Sequence, residues 1–386
     1  MREDPVGLIA AVRHQLTNGI GLTVESLLHR RLTHVAAFGT HNAGDTLLPT
    51  VLRDLIQQKI GGIHWDPLHV HDLVNESEIR RMNRSDAVFI GGGGLFIRDS
   101  NRNDVSGWQW PVRTEDIEKI QAKLVVFAVG YNRFRGQDEF DDHFQSNIVK
   151  LVERASFVGL RNHGSIENIR SYLPAELREK VVFQPCMTTL LKHIYPEHFR
   201  IPPCEDGVVA LNCAFDRASL RFGDRQNVIL DRIAVAMKQI SRYHRIAYFS
   251  HIESDKVMLP ALERAAVPFE HVQLYNRPST EVLERYRGVK LAIGMRGHSQ
   301  MIPFGCGRPI ISLISHNKLR WFLDDIEASD WGIEVDDPDL ADRLVHLAGE
   351  VLDAAPEVTD RLKRAQTFLW DVTCANCERI LKDIYS

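Results

Sequence analysis

Cysteine is scarce in this chain. Six residues (Cys186, Cys204, Cys213, Cys306, Cys374 and Cys377) are spread through 386, too few and too scattered for a disulfide framework. No run approaches the ~18 uninterrupted apolar residues that a membrane-spanning helix requires. Excess positive charge is also missing: 47 Lys and Arg against 51 Asp and Glu leave a net charge of −4, which excludes a nucleic-acid binder held by bulk electrostatics. The acidic start, Met1-Arg2-Glu3-Asp4-Pro5, has no signal-peptide pattern, and a reducing, cytoplasmic location is expected. There is no short-period repeat or low-complexity tract. The dinucleotide fingerprint G-x-G-x-x-G with its acidic partner is lacking as well. Cys374-Ala375-Asn376-Cys377 has the spacing of a redox or half-zinc motif but stands alone inside an expected helix, so it is read as packing and no metal site is expected.

What is present is an ordinary globular composition, 44% hydrophobic and 25% charged. The length exceeds what one core usually serves, so two domains are expected. Strand-like and helical stretches alternate. In the first half the strands are His34–Gly39, Ala87–Ile90, Leu124–Val129, Ser156–Leu160 and Val181–Phe183, with a helix over Asp45–Ile60. Pro196–Asp206 reads as a linker. The alternation then restarts with strands at Gly207–Cys213, Arg245–Ser250, Phe269–Tyr275, Val289–Gly294 and Pro309–Ile314. Helices are expected over Asp224–Arg242, Ser254–Ala265, Asp339–Leu352 and Glu357–Ile384. Near-continuous apolar runs of this length suit parallel strands buried on both faces. The predicted architecture is α/β: two Rossmann-like, doubly wound domains (1–195 and 206–370) facing each other across a cleft, with a final helix (371–386) returning to the first. Residues 5–31 have apolar positions at helical spacing. They are read as two helices covering the first sheet rather than as a membrane-surface helix, because their polar faces are not strongly basic.

Ligands of open parallel sheets bind beyond the carboxyl ends of the strands, and chemistry-bearing residues cluster there. Ala292-Ile293-Gly294-Met295-Arg296-Gly297-His298 sets a guanidinium and an imidazole just past a buried strand. The planar fork of an Arg suits a carboxylate or phosphate. Gly159-Leu160-Arg161 repeats the strand–Arg–helix arrangement in the first half, and His316 and Lys318 follow a further strand. Asn42-Ala43-Gly44-Asp45 opens a helix, where Asp45 reads either as the N-cap or as a general base facing a ligand. Gly91–Gly94 reads either as a tight turn or as a close backbone approach to a ligand. Trp108 and Trp110 read either as sugar-stacking faces or as tryptophans packed against the domain body.

Taken in order, Asn42-x-Gly44-Asp45, the Gly91–Gly94 run, Gly159-x-Arg161 with Ser165, and Gly294-Met295-Arg296-x-His298 followed by Gly307-x-Pro309 and Lys318 resemble the polysaccharide pyruvyl transferase family over residues 35–325. The resemblance implies a fold similar to the type-B glycosyltransferases. It implies phosphoenolpyruvate as co-substrate without any cofactor, and a sugar bearing two nearby hydroxyls, free or lipid-linked, as acceptor. The product is a cyclic pyruvate ketal on a bacterial surface polysaccharide or its precursor, with peripheral contact at the inner membrane face where the acceptor is lipid-linked. It makes Arg161, Arg296, His298 and Lys318 the donor-binding set, and His298, Asp45 and Arg296 the catalytic one. Asn42, Gly92, Gly93, Gly94, Trp108 and Trp110 are then expected on the acceptor side. Asn162 and Cys186 stand where the family often carries acidic residues. A nucleotide-sugar glycosyltransferase of the same architecture is the rival expectation, since fold does not fix function.

Overall fold

The computed structural model describes residues 30–99, 103–200 and 207–385. The helical expectation for residues 5–31 lies outside this set except at its end, where Arg30 and Arg31 begin a strand.

Among the described residues, twelve strands form two six-stranded sheets in which every pairing is parallel. The first contains β1 (Arg30–Ala36), β2 (Ile63–His69), β3 (Ala87–Phe96), β4 (Lys123–Tyr131), β5 (Ala155–Leu160) and β6 (Val181–Phe183), in the order β2-β1-β3-β4-β5-β6. The second contains β7 (Val208–Asn212), β8 (Ile246–Ser250), β9 (Phe269–Gln273), β10 (Val289–Gly294), β11 (Ile310–Ile314) and β12 (Gly332–Glu334), in the order β12-β11-β10-β7-β8-β9. Helices cover both, as expected for two doubly wound halves. The central strands are the apolar runs of the sequence: all of β4 except Lys123 is buried. Strand β2 was not expected. It is an edge strand with Ile63, Trp65 and Leu68 interleaved among polar residues and Pro67, and only Leu68 is fully buried, so it carries no continuous apolar signal.

The glycine run is not a turn. Strand β3 continues through Gly91–Gly94 to Phe96, with its ladder to β4 broken between Gly93 and Phe96. Gly92 has φ 49°, and a Cβ there would lie 2.5 Å from Leu48; a Cβ on Gly91 would lie 2.0 Å from the Phe127 carbonyl oxygen. The run therefore lets two elements press onto the strand where any side chain would separate them.

Helix Ala43–Ile60 opens with Asn42 as its N-cap, the Asn42 Oδ1 accepting from the Gly44 N–H at 3.0 Å. Asp45 consequently lies in the first helical turn and is not the cap. The helix buries Leu47, Leu48, Val51, Leu52, Leu55 and Ile56. This core does not stop at the first half: it runs through Cys186, Met187 and Leu190 into the interior of the second. Beneath the cleft, the backbone of helix His298–Gly305 meets the turn Met187–Thr189 so closely that a Cβ on Gly305 would lie 1.9 Å from the Thr188 carbonyl oxygen. The last helix, Ala355–Tyr385, crosses from second half to first. Gln366 donates to the Phe304 carbonyl at 2.6 Å, whereas Asn376 donates to the Phe183 carbonyl at 2.8 Å. Cys374 and Cys377 sit within it with no disulfide among the described residues. No helix among the described residues is long and apolar enough to cross a membrane.

One buried histidine ties fold to pH. His34 Nε2 bonds the Gly91 carbonyl at 2.8 Å and so must donate, while Nδ1 accepts from Arg53 Nε at 3.2 Å. This fixes the neutral tautomer, and burial with the nearby Arg53 charge lowers its pKa to about 3. The unfolded chain takes up this proton below about pH 6.5, the folded chain only near 3. The contribution to stability is therefore complete above pH 6.5 and is lost as pH falls through that window. His34→Gln, which keeps one donor and one acceptor, is expected to reduce the pH slope of unfolding free energy between pH 6 and 4 by about 1.4 kcal/mol per pH unit. Urea unfolding at several pH values measures it, and an unchanged slope contradicts it.

Candidate active site

Strand order reverses between β1 and β3 in one sheet and between β7 and β10 in the other. Such switch points open a crevice at the carboxyl ends of the strands. The two crevices are one cavity of about 260 Å³. The first half contributes Asn42, Asp45, Gly92, Gly93, Gly94, Asn132 and Arg161; the second contributes Asp216, Arg217, Arg221, His251, Arg296, His298 and Lys318. Arg161 and Arg296, from opposite halves, thus share one space.

Arg161 follows β5 and is 5% exposed. Among the described residues its guanidinium makes no hydrogen bond or ion pair, and its Nε is buried without a partner. Burial pulls its pKa below the ordinary value, against the pull of Cys186 and Asp45. The space it occupies exists because two neighbours are glycines: a Cβ on Gly130 would lie 2.1 Å from Arg161 Nε, and one on Gly94 3.2 Å from Nη2. Lys318, at the start of helix Asn317–Asp325, is the second cation without a carboxylate. Its Nζ donates to Asn132 Oδ1 across the cleft at 2.9 Å. Burial, then Arg221 and Arg161, hold its pKa well below the lysine range. Two cations without a carboxylate partner among the described residues thus share one crevice, where each carries a large desolvation cost.

Arg296 is arranged differently. Its Nε and Nη2 donate to Asp255 at 3.0 and 2.5 Å, and Nη1 lies 2.7 Å from Asp216. Burial opposes its charge, but the two carboxylates outweigh burial and raise its pKa. Fully buried Asp255 also accepts from the backbone N–H of His251 and from Asn212 Nδ2. Asp216 in turn binds Arg221 Nη2 at 2.8 Å; its pKa is held well below the usual range by Arg296 and Arg221 in spite of burial. Arg296 is the rigid centre of this network.

His298 begins the helix His298–Gly305 and lies against the opposite helix N-terminus: a Cβ on Gly44 would come within 2.0 Å of its Nδ1. Burial, then Arg161 and Lys318, lower its pKa to about 3, so it is neutral near pH 7. Its Nε2 lies 3.9 Å from Cys186 Sγ. Burial pushes that thiol up, so the group standing where the family often has a carboxylate is neutral. Asn162 likewise carries no charge; it caps helix His163–Ser171 by accepting from the Ser165 N–H at 2.7 Å. Burial raises Asp45 to about 6 against the opposing pull of Arg296, Lys318 and Arg161.

Trp108 and Trp110 do not face the cleft. They are 0% and 1% exposed, ring on ring at 5.8 Å, and Trp108 Nε1 donates to Asn147 Oδ1 at 2.7 Å. Neither face is open to a sugar. His316 is also buried; its Nδ1 accepts from the Lys318 N–H and its ring lies edge-on to Phe134. Sequence reasoning missed Asn132, Asp216, Arg217, Arg221, His251 and Asp255. All but Asp255 line the cavity, and Asn132, Asp216, Arg217 and His251 each lie within a few residues of the carboxyl end of a strand. The strand-end rule, applied to every strand, would have found these four.

The polysaccharide pyruvyl transferase profile matches residues 42–317. The chain belongs to the polysaccharide pyruvyl transferase family. It is accordingly a transferase of the polysaccharide-biosynthesis class with a fold of the type-B glycosyltransferase kind. No curated protein matches the chain. Among solved structures it is similar to a glycosyltransferase from Rickettsia africae ESF-5 (10% identity, 92% of this chain and 97% of that one, TM-score 0.55). It is similar as well to a putative UDP-N-acetylglucosamine 2-epimerase from Listeria monocytogenes (13%, 92% and 97%, 0.54). A third is the UDP-GlcNAc 2-epimerase from Neisseria meningitidis bound to UDP-GlcNAc (11%, 89% and 100%, 0.51). At these identities the likeness shows the fold alone.

In this transferase the unpaired charge of Arg161 has a measurable consequence. Without ligand, Arg161→Met is expected to stabilise the protein by about 1–4 kcal/mol, because a buried charge without a partner is replaced by an apolar chain of similar length. The stabilisation conferred by added inorganic phosphate should disappear in the same variant. Thermal unfolding with and without phosphate tests both, and a variant less stable than the wild type contradicts the first.

Proposed function

We propose that this transferase moves pyruvate from phosphoenolpyruvate to two hydroxyls of a sugar in a bacterial surface polysaccharide or its precursor, forming a cyclic ketal. The observation that carries the reading is the pair of uncompensated cations, Arg161 and Lys318, meeting Arg296 in one buried cavity. A small enol phosphate with a carboxylate presents two anionic groups to such a set, and guanidinium forks hold both kinds. Arg161 takes the donor from the first-half side, and Lys318 and Arg296 complete the site from the second half.

Chemistry follows from charge. Protonating the donor methylene makes the adjoining carbon oxocarbenium-like, and a sugar hydroxyl adds to it. The carbon–oxygen bond to phosphate then breaks and the second hydroxyl closes the ring. One hydroxyl proton is balanced by that placed on the methyl group, the other by that leaving with phosphate. Asp45, ionised above about pH 6, is placed to accept from the attacking hydroxyl. Burial, and then the charges of Arg161 and Lys318, keep His298 neutral. A bound trianion reverses that field, raises its pKa and makes it the proton donor. No cofactor enters the scheme. The cytoplasm, at the inner membrane face where the acceptor is lipid-linked, is the proposed location.

Isothermal titration with phosphoenolpyruvate at pH 8, where the free donor is fully ionised, is expected to show proton uptake on binding, since His298 gains pKa from the anion. Heats that do not depend on the buffer's ionisation enthalpy contradict this. Arg161→Ala should weaken the donor about 10- to 100-fold, whereas His298→Asn should lower kcat about 100-fold or more with a smaller change in KM. Binding of UDP-GlcNAc in place of phosphoenolpyruvate overturns the reading in favour of a sugar-nucleotide enzyme.

A further inference from the structure

Behind Asp45 lies a second cavity of about 420 Å³, lined by Phe38, Thr40, Thr50, Arg53 and Asp54, with Asp45 common to its wall and that of the cationic cleft. We infer that this cavity holds the acceptor as a neutral pyranose, its two reacting hydroxyls turned toward Asp45. The inference rests on the pyruvyl transfer reading and adds the place and class of the acceptor.

Three observations support it. The first is connectivity. A base that takes a proton from an acceptor must touch the acceptor while facing the donor carbon, and Asp45 is the residue lining both cavities. The second is charge. The donor cavity has an excess of cations, but here Arg53 and Asp54 are neighbours of opposite sign, with threonine hydroxyls about them. Such a lining has no surplus to attract a carboxylated or phosphorylated guest, and its volume lies within the usual range for small-molecule sites.

The third is a polar group without a partner. The buried Nη2 of Arg53 has no hydrogen-bond acceptor among the described residues. The rest of its guanidinium is fixed, with Nε donating to His34 Nδ1 at 3.2 Å and the plane lying 4.6 Å over the Phe38 ring. Beside it, Asp54 Oδ2 accepts from the Tyr195 hydroxyl at 2.5 Å. Arg53, Asp54 and the hydroxyls of Thr40 and Thr50 together line the cavity with donors and acceptors, as a diol requires. On this reading Asn42 and Gly92–Gly94, which line the cationic cleft, shape the donor side, and acceptor choice belongs to the face of helix Ala43–Ile60 that carries Thr50, Arg53 and Asp54. Thr40, in its wall, bonds Asn276 of the second half.

The test uses methyl glycosides of glucose, galactose and mannose as probes, with saturation-transfer NMR on the full chain in the absence of phosphoenolpyruvate. At least one glycoside is expected to receive saturation from the wild type. Thr50→Trp, an exposed position whose larger side chain fills the cavity, should reduce that signal at least tenfold. Thr40→Trp, from the other wall, should do the same, while both variants titrate with phosphoenolpyruvate as the wild type does. If no glycoside contacts the wild type, or if contact survives both substitutions, the inference is overturned and the donor reading stands. If both variants lose phosphoenolpyruvate together with the glycoside, the cavities are not separate and the inference is likewise overturned. A wild type that binds the glycoside but not phosphoenolpyruvate instead overturns the donor reading.

Discussion

A guanidinium taken out of water without a counter-ion is among the most costly groups a protein can hold, and this chain holds one in Arg161. Much of the cleft is explained by that constraint. Glycines at 94 and 130 give the group room. Lys318 is tethered by an amide, Asn132, rather than by a carboxylate. His298 is held uncharged beside both. Of the carboxylates about the cleft, Asp216 and Asp255 are engaged by Arg296 and Arg221, whereas Asp45 forms no ion pair with Arg161 or Lys318 among the described residues. The engaged pair gives its wall rigidity and leaves Arg161 and Lys318 without a carboxylate partner. On the proposed reading, a negatively charged guest completes the electrostatics of the site.

The division of labour between the walls also explains why two arginines, each just past a strand end, behave differently. Arg296 is pinned by two carboxylates and defines geometry; Arg161 is pinned by packing and keeps its hydrogen-bonding capacity for a ligand. Preorganisation of this kind places fixed charge where negative charge must be stabilised and requires little rearrangement during reaction. The neutral groups near His298 extend the same logic. With Cys186 in place of an acid, no carboxylate competes with the guest for the imidazole.

Much of this was legible in the residues. The central strands announced themselves because parallel strands buried on both faces must be apolar throughout, and the strand ends then pointed to Arg161, Arg296, His298 and Asp45. The rest was hidden for identifiable reasons. Strand β2 is an edge strand with one fully buried residue and so leaves no apolar run to read. The glycine run read as a tight turn or as a close approach to a ligand; the chain uses it inside a strand, where Leu48 and the Phe127 backbone approach it and Gly92–Gly94 line the cleft. Trp108 and Trp110 lie in a polar stretch, but three-dimensional packing turns both inward, with Asn147 satisfying the indole of Trp108. Asp255 was invisible because it is reached by a one-turn excursion after β8; its role depends wholly on a residue 41 positions away.

The apolar seam beneath the cleft bears on how such chains diversify. Since Cys186, Met187 and Leu190 belong to the same interior as the second sheet, and the Gly305 backbone rests on Thr188, the halves are not exchangeable modules. A recombined chain would have to rebuild this junction before it could hold any guest. If the acceptor lies where we infer, new glycan specificities are most accessible through substitutions at the rim, on the exposed helical face and the loop before it, where side chains can change without disturbing the foundation below.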